Sequence, residues 1–157
     1  MKRYIYLISP QKIRGIRFYN LLNKVLKTKK VKFFQLRIKK TSNSKLVKIS
    51  KKIKKITTKN NVKFLINDKP ALAKKVRADG CHIGQKDLGC IKTRRILGKN
   101  KIIGVTCHNS KNLALSAKRA GANYIAFGAF FKSSTKKTIY KANLALLRWA
   151  KKKINMP

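Results

Sequence analysis

The sequence predicts an α/β fold of parallel strands covered by helices, of the TIM-type (β/α) barrel kind but incomplete, with about six βα units. Two observations carry this reading. Short apolar runs alternate six times with amphipathic helical patterns, and the strand starts fall roughly twenty to thirty residues apart. Polar residues follow the apolar runs at five separate places, as they do where buried strands deliver loops to a ligand. An open doubly wound sheet competes with the barrel, because ligands sit at the C-terminal strand ends in both. No Gly-rich dinucleotide fingerprint follows the first strand, which counts against the open sheet. A barrel ordinarily takes about 250 residues and eight units, so six units are two short.

Residues 4–8 form an apolar run closed by Ser9-Pro10 and read as the first strand. Over 16–27, Ile16, Tyr19, Leu22 and Leu26 recur on one side of a helix. Residues 31–37 are the second strand. From 42 to 58, Leu46, Ile49, Ile53 and Ile56 return at helical spacing, while Lys45, Lys48, Lys51, Lys52, Lys54 and Lys55 fill the remaining, solvated faces. Ser42, Asn43 and Ser44 are candidate caps for that helix. Residues 62–66 are the third strand, followed by Asn67-Asp68 and a helix over 70–76, with Pro70 where a first turn tolerates a missing N–H. Cys81-His82-Ile83 is a short fourth strand, with a helix over 91–97 after it. The fifth strand covers 101–105, and Asn109 or Ser110 caps a helix running to Ala120. Residues 124–127 are the sixth strand, a last helix covers 143–153, and 153–157 look like the approach to a seventh strand.

The 157 residues make a single domain's worth of chain, and a hydrophobic fraction of 43% argues for a folded globule. No apolar run approaches the roughly 20 residues that span a bilayer. The run near the N-terminus is too short for a signal sequence and no small-residue cleavage site follows it, which predicts a cytoplasmic protein. Cys81, Cys90 and Cys107 form no C-x-x-C pair and read as reduced thiols in or near the core. Cys81 beside His82 lacks further ligands at zinc spacing. Lys and Arg number 42 against 3 acids, for a net charge of +39. Such a chain adheres to polyanions, but its lysines are spread along its length with no aromatics interleaved for base stacking. Nucleic acid is therefore expected only as a non-specific partner. The three acids, Asp68, Asp79 and Asp87, fall within twenty residues of each other, which points to a site.

In Phe34-Gln35-Leu36-Arg37-Ile38-Lys39 the polar side chains fall on every second position, so a strand sends Gln35, Arg37 and Lys39 to one face. Two cations and an amide suit a polyphosphate; an amphipathic edge strand with one solvated face is the plain alternative. Asn67-Asp68 ends the third strand and Asp87 follows the fourth, so neighbouring strand ends would offer two carboxylates to one divalent ion. Either aspartate alone reads as a helix cap. Thr106-Cys107-His108 ends the fifth strand with hydroxyl and imidazole donors, whereas His82 reads as a hydrogen-bonded core histidine. After Phe127-Gly128 comes Ser133-Ser134-Thr135-Lys136, hydroxyls and an ammonium that suit phosphate or form an ordinary surface loop.

Taken together, these segments resemble thiamine-phosphate synthase, of the thiamine-phosphate synthase and thiazole tautomerase superfamily. The matching stretches are 35–39, 67–69, 78–88, 103–108 and 121–136, in the family's order and over nearly the whole chain. The resemblance implies a parallel barrel forming one domain over 1–157 that lacks the last two strands, hence a C-terminally truncated member. It implies a magnesium-dependent transfer of the hydroxymethylpyrimidine group from its diphosphate to thiazole phosphate, giving thiamine phosphate and pyrophosphate. By this likeness the pyrimidine diphosphate is held by Gln35, Leu36, Arg37, Ile38 and Lys39 with Asn67, Thr106 and Lys136. Ser133, Ser134 and Thr135 face the thiazole phosphate, Asp68 and Asp87 hold Mg2+, and no general acid or base is assigned. Thr106 stands where the family more often has serine. The alternatives are a thiazole tautomerase-like paralogue using His108 as proton carrier, or an inactive remnant binding polyanions through charge. The expected partners are the two small-molecule substrates and a second copy of the chain, with no membrane.

Overall fold

The β-branched and aromatic runs of the chain become strands, and the lysine-rich amphipathic stretches become the helices that cover them. The computed structural model describes residues 4–131 and 139–157. It divides into two compact units, one up to Cys81 and one from His82 onward. The first unit holds β1 (Ile5–Ile8), α1 (Gly15–Lys27), β2 (Val31–Leu36), α2 (Asn43–Lys59), β3 (Lys63–Asn67), α3 (Pro70–Lys75) and the start of β4 (Gly80–Ile83). The second holds the rest of β4, α4 (Cys90–Leu97), β5 (Ile102–His108), α5 (Lys111–Arg119), β6 (Tyr124–Phe127) and α6 (Leu144–Lys153). Strands follow in sequence order, β1 to β4 in the first unit and β4 to β6 in the second, which is the order of a (β/α) barrel. Six βα units are present among the described residues, so the fold is the incomplete TIM-type α/β architecture expected.

In the first unit β1 pairs parallel with β2, setting Leu7 beside Phe34 and Ile8 beside Gln35, and β2 pairs parallel with β3, setting Gln35 beside Leu65. Phe64, Leu65 and Ile66 are consecutive and all buried, so β3 is covered on both faces. Phe34 and Phe64 stack at 6.4 Å between centroids, and Leu22 and Leu26 of α1 and Leu46, Ile49 and Ile53 of α2 are buried with them. Ser42 caps α2 by accepting the Lys45 N–H. Lys54 departs from the solvated face expected of it. Its Nζ donates to Asp79 Oδ2 at 2.7 Å, and the same oxygen accepts the Phe64 N–H at 2.9 Å. Asp79 thus belongs to the scaffold rather than to the site that three clustered acids suggested.

In the second unit β5 and β6 pair parallel, with Gly104 beside Tyr124 and Thr106 beside Ala126, until a bulge shifts the register to His108 beside Phe127. β5 runs three residues beyond the expected end at 105, because Thr106 to His108 continue the ladder that the polar sequence seemed to close. Ile83, Ile103, Val105, Cys107, Ala114, Ala117, Leu146 and Ile154 are buried. The Arg94 guanidinium donates to the carbonyls of Gly98, Lys99, Lys101 and Gly121 and to Asn123 Oδ1, and that amide oxygen also accepts the Ile103 N–H. One side chain therefore satisfies the turn after α4 and ties it to the starts of β5 and β6. Ser110 caps α5 and Asn143 caps α6. The three cysteines are buried and none is in a disulfide. No helix among the described residues is long and apolar enough to cross a membrane.

Candidate active site

Gln35 is the penultimate residue of β2 and only 3% exposed, so the solvated-edge reading of this strand does not hold. Its amide is fixed from both ends. The Tyr6 hydroxyl donates to Gln35 Oε1 at 3.1 Å, and Gln35 Nε2 donates to Asn67 Oδ1 at 2.5 Å. That sequence of donors leaves Asn67, at the end of β3, with its amide nitrogen as the group to offer a ligand, a donor suited to phosphate oxygen. β2 ends at Leu36, one residue early, so Arg37 and Lys39 lie beyond the strand that was to alternate them. Arg37 is positioned through its backbone, its N–H donating to Ser9 Oγ at 2.9 Å, while the Ser9 N–H donates to the Gln35 carbonyl at 2.9 Å. Leu36 is buried in the core, Arg37 and Ile38 are half-buried and Lys39 is exposed. Asp68 follows β3 with φ of 62°, the left-handed region that aspartate tolerates better than most residues.

In the second unit, Asp87 lies in the loop after β4, and its Oδ2 accepts the Gly84 N–H at 2.7 Å. A Cβ on Gly84 would stand 3.0 Å from that oxygen, so glycine permits the close turn. Thr106 of β5 is held twice. His82 Nε2 lies 2.8 Å from its hydroxyl, and Gln85 Nε2 donates to its carbonyl. His82 Nδ1 lies 2.8 Å from the Tyr124 hydroxyl, and the two rings stack at 5.5 Å. His82 is hydrogen-bonded as expected, but half-buried rather than in the core. His108, with φ of 51°, stacks on Tyr140 at 4.2 Å. Ser133, Ser134, Thr135 and Lys136 lie outside the described residues.

Sequence reasoning missed Tyr6, Gln85 and Tyr124 as site-forming residues. A signal for Tyr124 was present: Gly104 interrupts an otherwise β-branched strand, as glycine does where another group approaches the backbone closely. A Cβ there would come within 1.9 Å of the Tyr124 ring. A cleft of about 500 Å³ at the N-termini of α5 and α6 is lined by Ser110, Lys111, Lys141 and Asn143 and by none of the anticipated site residues.

The donor chemistry fits magnesium. Mg2+ takes hard oxygen ligands, commonly one or two carboxylates completed by substrate phosphate and water. Asp68 and Asp87 each carry oxygens of this kind, and the Gly84 N–H orients the Asp87 carboxylate. Among the described residues no group of three or more His, Cys, Asp or Glu gathers.

The family described as thiamine monophosphate synthase matches residues 5–157. The chain is 58% identical over 156 residues to a thiamine-phosphate synthase of Pelagibacter ubique, covering 99% of this chain and 75% of the relative. It is 40% identical over 157 residues to the thiamine-phosphate synthase of Erythrobacter litoralis, covering 73% of it. Among solved structures, thiamine phosphate pyrophosphorylase from Pyrococcus furiosus superposes with a TM-score of 0.83 at 24% identity, over 99% of this chain and 73% of that one. The chain therefore belongs to the thiamine monophosphate synthase family and is that of an enzyme of the transferase class.

Proposed function

We propose that the protein joins hydroxymethylpyrimidine diphosphate to thiazole phosphate, giving thiamine phosphate and pyrophosphate. The observation that carries this reading is the 58% identity, over 99% of the chain, to a relative that bears the synthase name. The part-buried hydrogen-bond chain from the Tyr6 hydroxyl through the Gln35 amide to Asn67 supports it, since a fixed amide edge suits one heterocycle and its phosphates. The unbroken family match over 5–157 supports treating the chain as one barrel domain.

In this reading Gln35 and Asn67 orient the pyrimidine diphosphate, with Thr106 against the ring and the backbone of Leu36 and Ile38 lining the approach. Arg37, Lys39 and Lys136 neutralise the pyrophosphate as the methylene C–O bond breaks and its electron pair leaves with the phosphate oxygen. Ser133, Ser134 and Thr135 hold the thiazole phosphate so that its ring nitrogen donates a lone pair to the methylene carbon, forming the C–N bond. Asp68 and Asp87 would hold Mg2+, which supplies charge stabilisation to the departing pyrophosphate. No step calls for a general base. A cytoplasmic location suits such small phosphorylated substrates.

The test is an assay of thiamine phosphate formation from the two precursors with added Mg2+. Asp87→Asn should lower turnover by about a hundredfold or more, the scale of losing a group that acts on developing charge. Unchanged turnover in Asp87→Asn would remove that residue from the site, and product formation from a thiazole phosphate alone would favour the tautomerase reading.

A further inference from the structure

We propose that Tyr124, His82 and Thr106 form a directed hydrogen-bond relay that sets the Thr106 hydroxyl as a donor to a lone pair on the substrate heterocycle. His82 and Tyr124 are then positioning residues, acting through Thr106. The inference rests on the reading above that Thr106 meets the pyrimidine.

Both imidazole nitrogens are engaged by hydroxyls, each at 2.8 Å. A neutral imidazole carries one N–H and one lone pair, so one of these hydroxyls must donate to the ring and the other must accept from it. The two are not equivalent. A phenol ionises near pH ~10, far more readily than an alkyl alcohol, so the phenol is the stronger donor and the threonine oxygen the better acceptor. The favoured polarity runs from the Tyr124 O–H to Nδ1 and from Nε2–H to Thr106 Oγ1. His82 then occupies one acceptor position of the threonine oxygen, and the hydroxyl hydrogen points to another partner. With the opposite polarity that hydrogen would be spent on His82, and Thr106 could only accept.

The surroundings are built for this contact. Gly104 precedes Thr106 by two positions on β5, so both face the same way. Any side chain at 104 would collide with the Tyr124 ring, which lies across the strand there. The stacked His82 and Tyr124 rings meet at an interplanar angle of 27°. Gln85 holds the Thr106 carbonyl, so the hydroxyl swings about a fixed backbone. A general packing role would not need two ring nitrogens and two hydroxyls aligned in series.

The chain has two histidines, so nitrogen-15 NMR of the labelled full chain resolves His82 after assignment with His108→Gln. In substrate-free protein the expected form is the Nε2–H tautomer, and Tyr124→Phe should move the population toward Nδ1–H. The same variant should raise KM for the pyrimidine diphosphate about tenfold, the scale of one neutral hydrogen bond. His82→Gln, which keeps an N–H to offer Thr106, should retain more of the wild-type KM than His82→Leu. An Nδ1–H tautomer in the wild type would overturn the relay, as would equal losses in His82→Gln and His82→Leu. If the wild type turned over no pyrimidine diphosphate, the functional reading would fail, and the tautomer measurement would still decide the relay.

Discussion

Asp79 illustrates what one carboxylate does in a chain with so few of them. Its side chain and that of Lys54 are 23% and 26% exposed, and the ion pair draws α2 onto β3 through the Phe64 N–H. Burial pushes the carboxyl pKa up, but the Lys54 hydrogen bond, the Phe64 N–H and the charges of Lys54 and Lys63 outweigh it, leaving the group below its ordinary value. A folded pKa below the unfolded one stabilises the protein above the unfolded value, near pH ~4, and the stabilisation is lost as pH falls through the folded value. Asp79→Asn should therefore cost about 1–2 kcal/mol at neutral pH. Urea denaturation should show the gap between variant and wild type closing at acid pH; a gap independent of pH would assign the loss to packing. The Cys90 and Cys107 thiols behave conversely. Burial pushes Cys107 up to about 11, so it stays protonated and unreactive while the fold is intact.

At the scale of elements, the six helices among the described residues end alike. Lys29, Asn61, Arg77, Gly98, Gly121 and Asn155 stand at or just past the helix ends with φ between 52° and 90°. The left-handed residue lets the chain turn back and lets the next N–H reach a last-turn carbonyl, as the Val62 N–H does with Thr57 and the Ala78 N–H with Ala73. Glycine supplies this conformation without strain, whereas a residue with a Cβ is penalised. Arg77→Gly should thus stabilise the protein by about 0.5–1 kcal/mol, after the entropy that glycine adds to the unfolded chain is subtracted. A higher urea midpoint at unchanged slope is the expected result, and a lower midpoint would show that the Arg77 side chain contributes more than its backbone costs. The same backbone region recurs at Asp68 and His108, after β3 and at the end of β5, where it serves the loops that carry the site.

At the scale of the molecule, the net charge of +39 governs what the protein adheres to. With 42 cations and 3 acids, few surface charges can pair within the chain. Duplex DNA should be retained near ~0.05 M salt and released by about 0.3 M, as counterion release dictates for contacts to phosphate alone. Retention at higher salt would show a dedicated nucleic-acid surface rather than diffuse charge. The charge leaves the fold intact because it sits on helix faces turned to solvent, as along α2, where Lys45, Lys48, Lys51 and Lys55 are exposed while Leu46, Ile49 and Ile53 are buried.

The periodicities of the chain sufficed for every strand and helix to within a few residues, because the apolar spacing that signals an element is the same spacing that buries it. The residue types near the strand ends also suggested the chemistry proposed for the site: Gln35 and Asn67 lie near the ends of β2 and β3, Asp68 and Asp87 follow β3 and β4, and Thr106 stands two residues before the end of β5. Tertiary structure alone decided which of those polar groups are partners. Tyr6, Gln35 and Asn67 are 29 and 32 residues apart in sequence, and His82 meets Thr106 and Tyr124 across separations of 24 and 42. Sequence spacing records the faces within an element, whereas parallel pairing through long crossovers sets the register between elements. Hydrogen-bond direction in a relay depends on that register, so Asp79 went to the scaffold and His82 to Thr106 only when the strands were laid side by side.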